Sequence, residues 1–160
     1  MSSNAIVLAI RPQYAQKIFE GSKKVELRRV RPKHIKKGDL VLIYISSPIQ
    51  SLAGAFKVDE IIEKSLSELW ELVKDKAGVS QEEFDTYYEG VDIGIGIVFN
   101  EVWSLPEPLK IQDLQEQGVD FQPPQSFRYA TSDELASPQF AELVGEIEIV
   151  IQDSFWDEES

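Results

Sequence analysis

The chain has 160 residues, of which 42% are hydrophobic and 28% charged, and its formal net charge at pH 7 is −12. These values are typical of a globular domain with its own core, and we expect a single domain over residues 1–160. The absence of cysteine excludes disulfide bonds, thiolate metal ligands and a cysteine nucleophile. His34 is the one histidine and stands among lysines, so we expect no histidine base, no metal site and no cofactor.

No stretch of about 18 apolar residues is present, so the sequence predicts no membrane-spanning helix. The first residues combine a short apolar run with no positive charge, unlike a secretory signal peptide. We therefore expect a cytoplasmic protein with no membrane partner.

The first predicted elements are strands on either side of an amphipathic helix. The apolar run at residues 5–10 predicts a buried strand. Pro12 suits the first turn of a helix whose apolar residues recur at helical spacing, and Gly21 suits its end. Apolar and charged residues alternate over 24–28, which predicts a strand with one wet face. Residues 40–45 are apolar at every position and predict a strand buried on both faces.

The later elements follow the same kinds of signal. We predict strands at 52–62, 93–102 and 127–129, helices at 65–77, 81–88 and 111–117, a helical turn or two at 138–144, and a strand or helix end at 146–151. Ser80 and Glu83 form a capping box for the helix that follows them. Gly94 and Gly96 share one face of their strand, which favours the bend of a closing sheet. This series predicts an α+β fold with a mostly antiparallel, barrel-like sheet.

Residues 11–37 contain ten Lys or Arg and two Glu. Such a local excess of cations in an acidic chain is a candidate binding surface. On the predicted strand, Lys24, Glu26 and Arg28 share one face at spacings of about 7 Å. Lys23 lies at the turn that enters this strand.

These four side chains have two interpretations. Arg28 would bind a phosphate or a carbonyl edge, and Glu26 would accept a hydrogen bond from the exocyclic amine of a base. Lys23 would be a phosphate ligand or, if burial desolvates it, a base. The alternative is a solvated ladder of charges that stabilises the strand little.

Two further segments are candidate contacts. Phe127 and Tyr129 flank Arg128, and such a set would stack on bases and contact a phosphate. The alternative is that the two aromatic residues close the barrel. The hydroxyls of Ser46 and Ser47 would reach a cleft beside the barrel, or they belong to an ordinary loop.

The segment Gly21-x-Lys23-x-x-Glu26-x-Arg28 matches the Gly-x-Lys-x-x-Glu-x-Arg signature of the ASCH (activating signal cointegrator homology) family. The strand and helix before this signature and the basic loop after it also resemble that family. So do the next two strands, the second of which contains Gly54.

The resemblance covers residues 5–102, most clearly 5–62, and implies a PUA-like β-barrel with short flanking helices. It also implies a ligand cleft beside the first helix and the signature strand. Residues 103–156 are expected to be a C-terminal extension that completes or covers the barrel. Because such domains are associated with RNA binding, the implied ligand is RNA or a modified nucleotide.

One branch that the chain resembles hydrolyses the amide of N4-acetylcytidine with a Lys, a Thr and a Glu. Lys23 matches that lysine, but Glu26 stands where the branch has threonine. The third residue would come from a later strand, at Asp59 or Glu60. A carboxylate acts as a base or a nucleophile, but it does not simply replace a hydroxyl.

The sequence therefore predicts a module that binds RNA or a modified nucleotide in a basic cleft formed by the signature. The first alternative is an amidohydrolase acting on an N4-acylated cytidine-type nucleoside, with Lys23 and Glu26 as catalytic residues. The second alternative is a protein-interaction domain for an acidic partner. The predicted ligand contacts are Lys23, Lys24, Glu26, Arg28, Arg29, Arg31, Ser46, Ser47, Phe127, Arg128 and Tyr129.

Overall fold

The computed structural model describes residues 5–116, 118 and 121–130. Within these ranges the chain forms six strands and four short helices. In chain order they are β1 (Ala5–Ile10), α1 (Pro12–Glu20), β2 (Val25–Arg28), β3 (Leu40–Ile45), β4 (Ser51–Ser65), α2 (Leu66–Val73), α3 (Gln81–Tyr87), β5 (Ile93–Lys110), α4 (Ile111–Glu116) and β6 (Phe127–Tyr129). The elements predicted at 138–144 and 146–151 lie outside the described residues.

All six strands belong to one sheet, in the order β2-β5-β4-β3-β1-β6. β1 pairs with β3 in parallel, with Ile6 opposite Val41, and the other pairings are antiparallel. The prediction of an α+β fold with a mostly antiparallel sheet is confirmed. β2 and β6 are the edges of the described sheet, so backbone pairing does not close it and "barrel-like" describes it loosely.

The first helix forms as the sequence predicts. Pro12 occupies the first helical position, where its missing N–H would have no acceptor within the helix. Ala15 and Ile18 are buried against the sheet. Gly21 ends the helix with a φ of +92°, a left-handed conformation, and its N–H donates to the carbonyl of Lys17. The chain passes from this turn into β2, so α1 fixes where the signature strand begins.

β3 separates two of the described core clusters, as its uniformly apolar sequence predicts. Leu42 and Tyr44 pack with residues of α4 on one face, and Val41 and Ile43 pack with residues of α1 on the other. A third cluster joins β2 and β5 to α2 and α3. This third cluster holds α3 beside the signature strand.

β5 is longer than predicted. It continues beyond residue 102 to Lys110 and includes Pro106 and Pro108. The register with β4 shifts at these prolines, so their missing N–H groups fall in a bulge of the ladder. Pairing with β4 therefore overrides the local preference of the prolines for a loop. The helix predicted at 65–77 is shorter, Leu66–Val73: β4 takes its first residue, and the helix ends four residues earlier than predicted.

Gly54 lies in β4 at a point where no larger residue fits. A Cβ at this position would lie 2.1 Å from the carbonyl oxygen of Trp103 and 2.9 Å from the ring of Phe19. The glycine therefore lets the backbone of β5 and the side chain from α1 approach β4 closely.

Candidate functional site

A cleft of about 570 Å³ lies between α1, β2 and α3. β2 contributes the floor, the end of β1 and the start of α1 contribute one wall, and the α3 segment contributes the other. The lining residues are Ala9, Ile10, Arg11, Tyr14, Lys23, Glu26, Leu27, Arg28, Val79, Ser80, Glu82, Glu83, Phe84, Thr86 and Tyr87. The cleft lies where the family resemblance predicts one, beside the first helix and the signature strand.

Lys23, Glu26 and Arg28 form a row of alternating charges in this cleft. Glu26 Oε1 lies 3.6 Å from Lys23 Nζ, and Glu26 Oε2 accepts a hydrogen bond of 2.8 Å from Arg28 Nη2. The three residues are 3%, 8% and 9% exposed, respectively. They are therefore a buried ion cluster, with one carboxylate between two cations, and not a solvated ladder of charges.

The ammonium of Lys23 is enclosed by backbone and aromatic groups. Its Nζ donates a hydrogen bond of 2.6 Å to the carbonyl of Ala77 and lies 5.4 Å from the centroid of the Tyr14 ring. Burial lowers the pKa of Lys23 below its ordinary value, and the neighbouring Glu26 carboxylate opposes this shift. Lys23 therefore releases its proton more readily than an exposed lysine.

Arg28 bridges the gap between the two edges of the sheet. Its Nη2 donates to the carbonyl of Ala9 at 2.9 Å, and its Nη1 donates to Ser126 Oγ at 2.9 Å. Ala9 belongs to β1 and Ser126 directly precedes β6, so the guanidinium links β2 to the opposite edge. Arg28 Nε is buried and has no hydrogen-bond partner among the residues that the structure describes.

Two tyrosines line opposite walls of the cleft. The Tyr14 hydroxyl donates to Glu83 Oε2 at 3.1 Å, and Glu83 also forms the predicted capping box of α3 with Ser80. The Tyr87 hydroxyl donates to the carbonyl of Leu27 at 3.3 Å. Burial raises the pKa of both tyrosines, so both are neutral hydroxyl donors at neutral pH.

The cleft is balanced in formal charge. Its charged lining residues are the cations Arg11, Lys23 and Arg28 and the carboxylates Glu26, Glu82 and Glu83. The prediction of a basic cleft is therefore wrong for the lining. The fold places the acidic first turn of α3 opposite the signature strand, and this pairing of distant segments has no local signal in the sequence.

The other predicted cationic contacts lie outside the lining of the cleft. Lys24 is exposed. Arg29 is also exposed and donates to the carbonyl of Tyr87 at 3.2 Å. Arg31 forms an exposed ion pair of 3.5 Å with Glu63. Lys24 directly precedes β2, Arg29 and Arg31 follow it, and none of the three lines the cleft.

The serines and the β6 residues also lie outside this lining. Ser46 Oγ donates to the carbonyl of Ile10 at 3.4 Å, and Ser47 is exposed. Phe127 and Tyr129 are half-buried and pack against the core cluster that contains α1. These contacts fit the alternative in which the two aromatic residues complete the core. Arg128 stacks its guanidinium 4.8 Å from the centroid of the Phe121 ring.

Sequence reasoning does not identify Tyr14, Tyr87 or Ser126 as site residues. Tyr14 belongs to the apolar stripe of its helix and is indistinguishable there from a core residue. Ser126 lies 98 positions from Arg28 and belongs to no motif. Asp59 and Glu60, which the sequence suggests as a third carboxylate, are absent from the cleft lining.

No described helix has the length and hydropathy that a membrane crossing requires. Across residues 5–116, 118 and 121–130, no group of three or more His, Asp or Glu is arranged to hold a metal ion.

Comparisons with known proteins agree with the fold and with the family resemblance. An ASCH domain-containing ribonuclease from Zymomonas mobilis is 27% identical over 128 residues, which cover 80% of this chain and 85% of that protein. Large ribosomal subunit protein uL22 from Ureaplasma parvum is 27% identical over 129 residues, which cover 80% of this chain and 40% of that protein. A crystal structure of ASCH from Zymomonas mobilis has a TM-score of 0.73 and 26% identity, covering 81% of this chain and 89% of that chain. The sequence model of the ASCH domain matches residues 8–99, and the chain therefore belongs to the ASCH domain family.

Proposed function

We propose that this chain binds RNA and takes one unstacked nucleotide into the cleft between α1, β2 and α3. The relative from Zymomonas mobilis is named a ribonuclease, and the relative from Ureaplasma parvum is named a ribosomal protein. The observation that carries the proposal is the buried cluster of Lys23, Glu26 and Arg28 at the floor of the cleft.

The cleft supplies the contacts that a single nucleotide needs. Its volume of about 570 Å³ lies within the roughly 300–1,000 Å³ of pockets that enclose small ligands. Among the described residues, the one ion pair of Glu26 Oε1 is with the Lys23 ammonium at 3.6 Å. This oxygen would accept a hydrogen bond from an exocyclic amine. Lys23 Nζ uses one donor on Ala77 and retains others for a carbonyl or phosphate oxygen. Tyr87 is 40% exposed and would stack on the base.

The charge distribution favours a selective local contact over a general affinity for polyanions. The chain carries a net charge of −12 and the cleft lining is balanced, so long-range attraction to RNA is weak. Each phosphate neutralised on a single strand contributes about 0.7 to the slope of log affinity against log salt. We expect a shallow slope from a few phosphates, and a slope that requires six or more would contradict this expectation.

Fluorescence anisotropy with a labelled short single-stranded RNA tests the proposal. Lys23→Gln removes the buried ammonium, and Tyr87→Leu removes a ring whose stacking is worth about 1–3 kcal/mol, or roughly 5- to 150-fold in affinity. Each substitution should weaken binding about tenfold or more. Lys74→Gln, which alters an exposed lysine outside the cleft, is the matched control and should leave the affinity unchanged.

Urea unfolding of each variant separates lost binding from lost fold. Wild-type affinity in both cleft variants would refute the cleft as the RNA site. An equal loss in Lys74→Gln would show that the interaction is nonspecific and electrostatic.

A second candidate function is amide hydrolysis on an N4-acylated cytidine-type nucleoside. It is favoured by Lys23, because burial lowers the pKa of this lysine and a carboxylate lies 3.6 Å from its Nζ. Incubation with N4-acetylcytidine should then yield cytidine and acetate, and Lys23→Gln should abolish the product on chromatography. Absence of turnover by the wild type would refute this function, and turnover that survives this substitution would refute the catalytic role of Lys23.

A further inference from the structure

Residues 29–37, here called the basic loop, form a charged surface that the cleft does not use. The loop contains five Lys or Arg and no acidic residue. Two of these cations are paired, Arg31 with Glu63 at 3.5 Å and Lys36 with Asp39 at 2.9 Å. Arg29, Lys33 and Lys37 are exposed and form no ion pair with any residue of the described chain. Within the described residues, an acidic protein thus presents three cations without an ion-pair partner on one short segment.

Buried contacts hold the backbone of the basic loop in place. Ile35 is buried, and its N–H donates to the carbonyl of Pro32 at 3.2 Å. The buried Asp39 accepts from the N–H of Lys36 at 3.0 Å, and the N–H of Gly38 donates to Val58 of β4 at 2.8 Å. The lysine side chains therefore project from an ordered support, which reduces the entropy lost when a ligand binds.

The basic loop contacts β6, and the residue just before this strand contacts the cleft floor. At one end of β6, Ser126 bonds to Arg28 in the cleft floor, and at the other end the Tyr129 hydroxyl donates to the carbonyl of Lys33. The backbones of Ser126 and Tyr129 are three residue steps apart, which in an extended chain is about 10 Å at 3.3 Å per residue. A strand with one nucleotide in the cleft would bring its neighbouring phosphates to the loop within one or two nucleotides.

We infer that the basic loop is a second contact for the same RNA strand, binding the backbone phosphates next to the nucleotide in the cleft. This inference rests on the proposed function and adds the class of ligand. The ligand is a single-stranded segment of several nucleotides and not a free nucleoside or mononucleotide. Arg29, Lys33 and Lys37 supply the phosphate contacts, and the cleft residues supply the contacts to the base.

The test compares an eight-nucleotide single-stranded RNA with cytidine 5′-monophosphate as probes of the full chain. The double substitution Lys33→Ala with Lys37→Ala removes two exposed loop cations. At about 0.7 per phosphate, it should reduce the salt slope for the RNA by about 1.4. It should weaken RNA binding severalfold at about 50 mM salt and leave binding of the monophosphate unchanged. The control combines Lys74→Ala with Lys110→Ala, which removes the same charge from exposed lysines elsewhere and should leave the RNA slope unchanged.

The outcomes separate this inference from the proposed function. If the wild type binds the monophosphate but the loop variant keeps the wild-type RNA slope, the loop contact is refuted and the cleft stands. The loop contact is also refuted if the salt slope of the control variant falls as much as that of the loop variant, or if the RNA binds no more tightly than the monophosphate. If the wild type binds neither probe, both the proposed function and the loop contact are refuted.

Discussion

Glu26→Gln would leave two buried cations without the carboxylate that they share. Glu26 is 8% exposed and lies 2.8 Å from Arg28 Nη2 and 3.6 Å from Lys23 Nζ. Removing one partner of a buried ion pair typically destabilises a protein by about 3–5 kcal/mol, because the remaining charge is desolvated and uncompensated. We expect a decrease of this size in the free energy of unfolding at pH 7. The glutamine keeps the size of the side chain, so the loss arises from charge and not from a cavity.

The pH dependence of this loss has a definite sign. Burial already lowers the pKa of Lys23 from its ordinary value of 10.5, and loss of the Glu26 carboxylate lowers it further. A lysine whose pKa is lower in the folded chain destabilises the fold fully below the folded-state pKa. This penalty disappears as the pH rises from that value toward 10.5. The difference in free energy of unfolding between the wild type and Glu26→Gln should therefore be largest near neutral pH and shrink at alkaline pH. The destabilisation that arises from Arg28 remains at alkaline pH, because its guanidinium does not lose its proton.

Urea unfolding followed by tryptophan fluorescence at pH 7 and pH 9.5 measures both effects. Glu71→Gln is the control, because Glu71 pairs with Lys74 at 2.8 Å on an exposed helix surface. Such exposed pairs contribute little to stability, so the control should leave the free energy of unfolding nearly unchanged at both pH values. A loss below about 1 kcal/mol in Glu26→Gln at pH 7 would refute a buried charge cluster. A loss that grows with pH would refute the assigned role of Lys23.

Three further substitutions test the packing around the site, each by urea unfolding. Gly54→Ala should lower the free energy of unfolding by about 3 kcal/mol, the upper part of the range for overpacking, because its Cβ would lie 2.1 Å from the Trp103 carbonyl oxygen. A neutral effect would contradict the close approach of β4 and β5. Ser80→Ala removes the side-chain cap of α3 and should cost about 1 kcal/mol, with Ser80→Gly costing only a few tenths. Ser126→Ala removes one hydrogen bond of the Arg28 guanidinium and should cost about 1 kcal/mol. No change in Ser126→Ala would show that this bond does not help to join the edges of the sheet.

Elements with local signals could be predicted from the sequence. Pro12 and Gly21 mark the ends of α1, and Ser80 with Glu83 marks the start of α3, because each signal acts within one helical turn. The apolar run of β3 predicts burial on both faces, which the core clusters confirm. The end of β5 could not be predicted in this way, because its last residues form a strand only through their pairing with β4.

The same division between local and distant signals applies to the site. Alternation along β2 and the family signature bring Glu26 and Arg28 together with Lys23, and all three line one cleft. Tyr14, Tyr87 and the acidic turn of α3 reach this cleft, and Ser126 reaches Arg28, only through the tertiary fold. For this reason the sequence overestimates the positive charge of the cleft and omits the tyrosines on both of its walls. Of the ten cations in residues 11–37, two lie in the buried cluster and five in the basic loop, and composition alone does not predict this distribution.

A crystal structure of the chain with a bound short single-stranded RNA tests most directly whether the cleft receives a nucleotide. We predict one unstacked base beside Tyr87, with a donor or acceptor within about 3.2 Å of Glu26 Oε1 or Lys23 Nζ. RNA bound to another surface, with the cleft between α1, β2 and α3 left unoccupied, would contradict the proposed function.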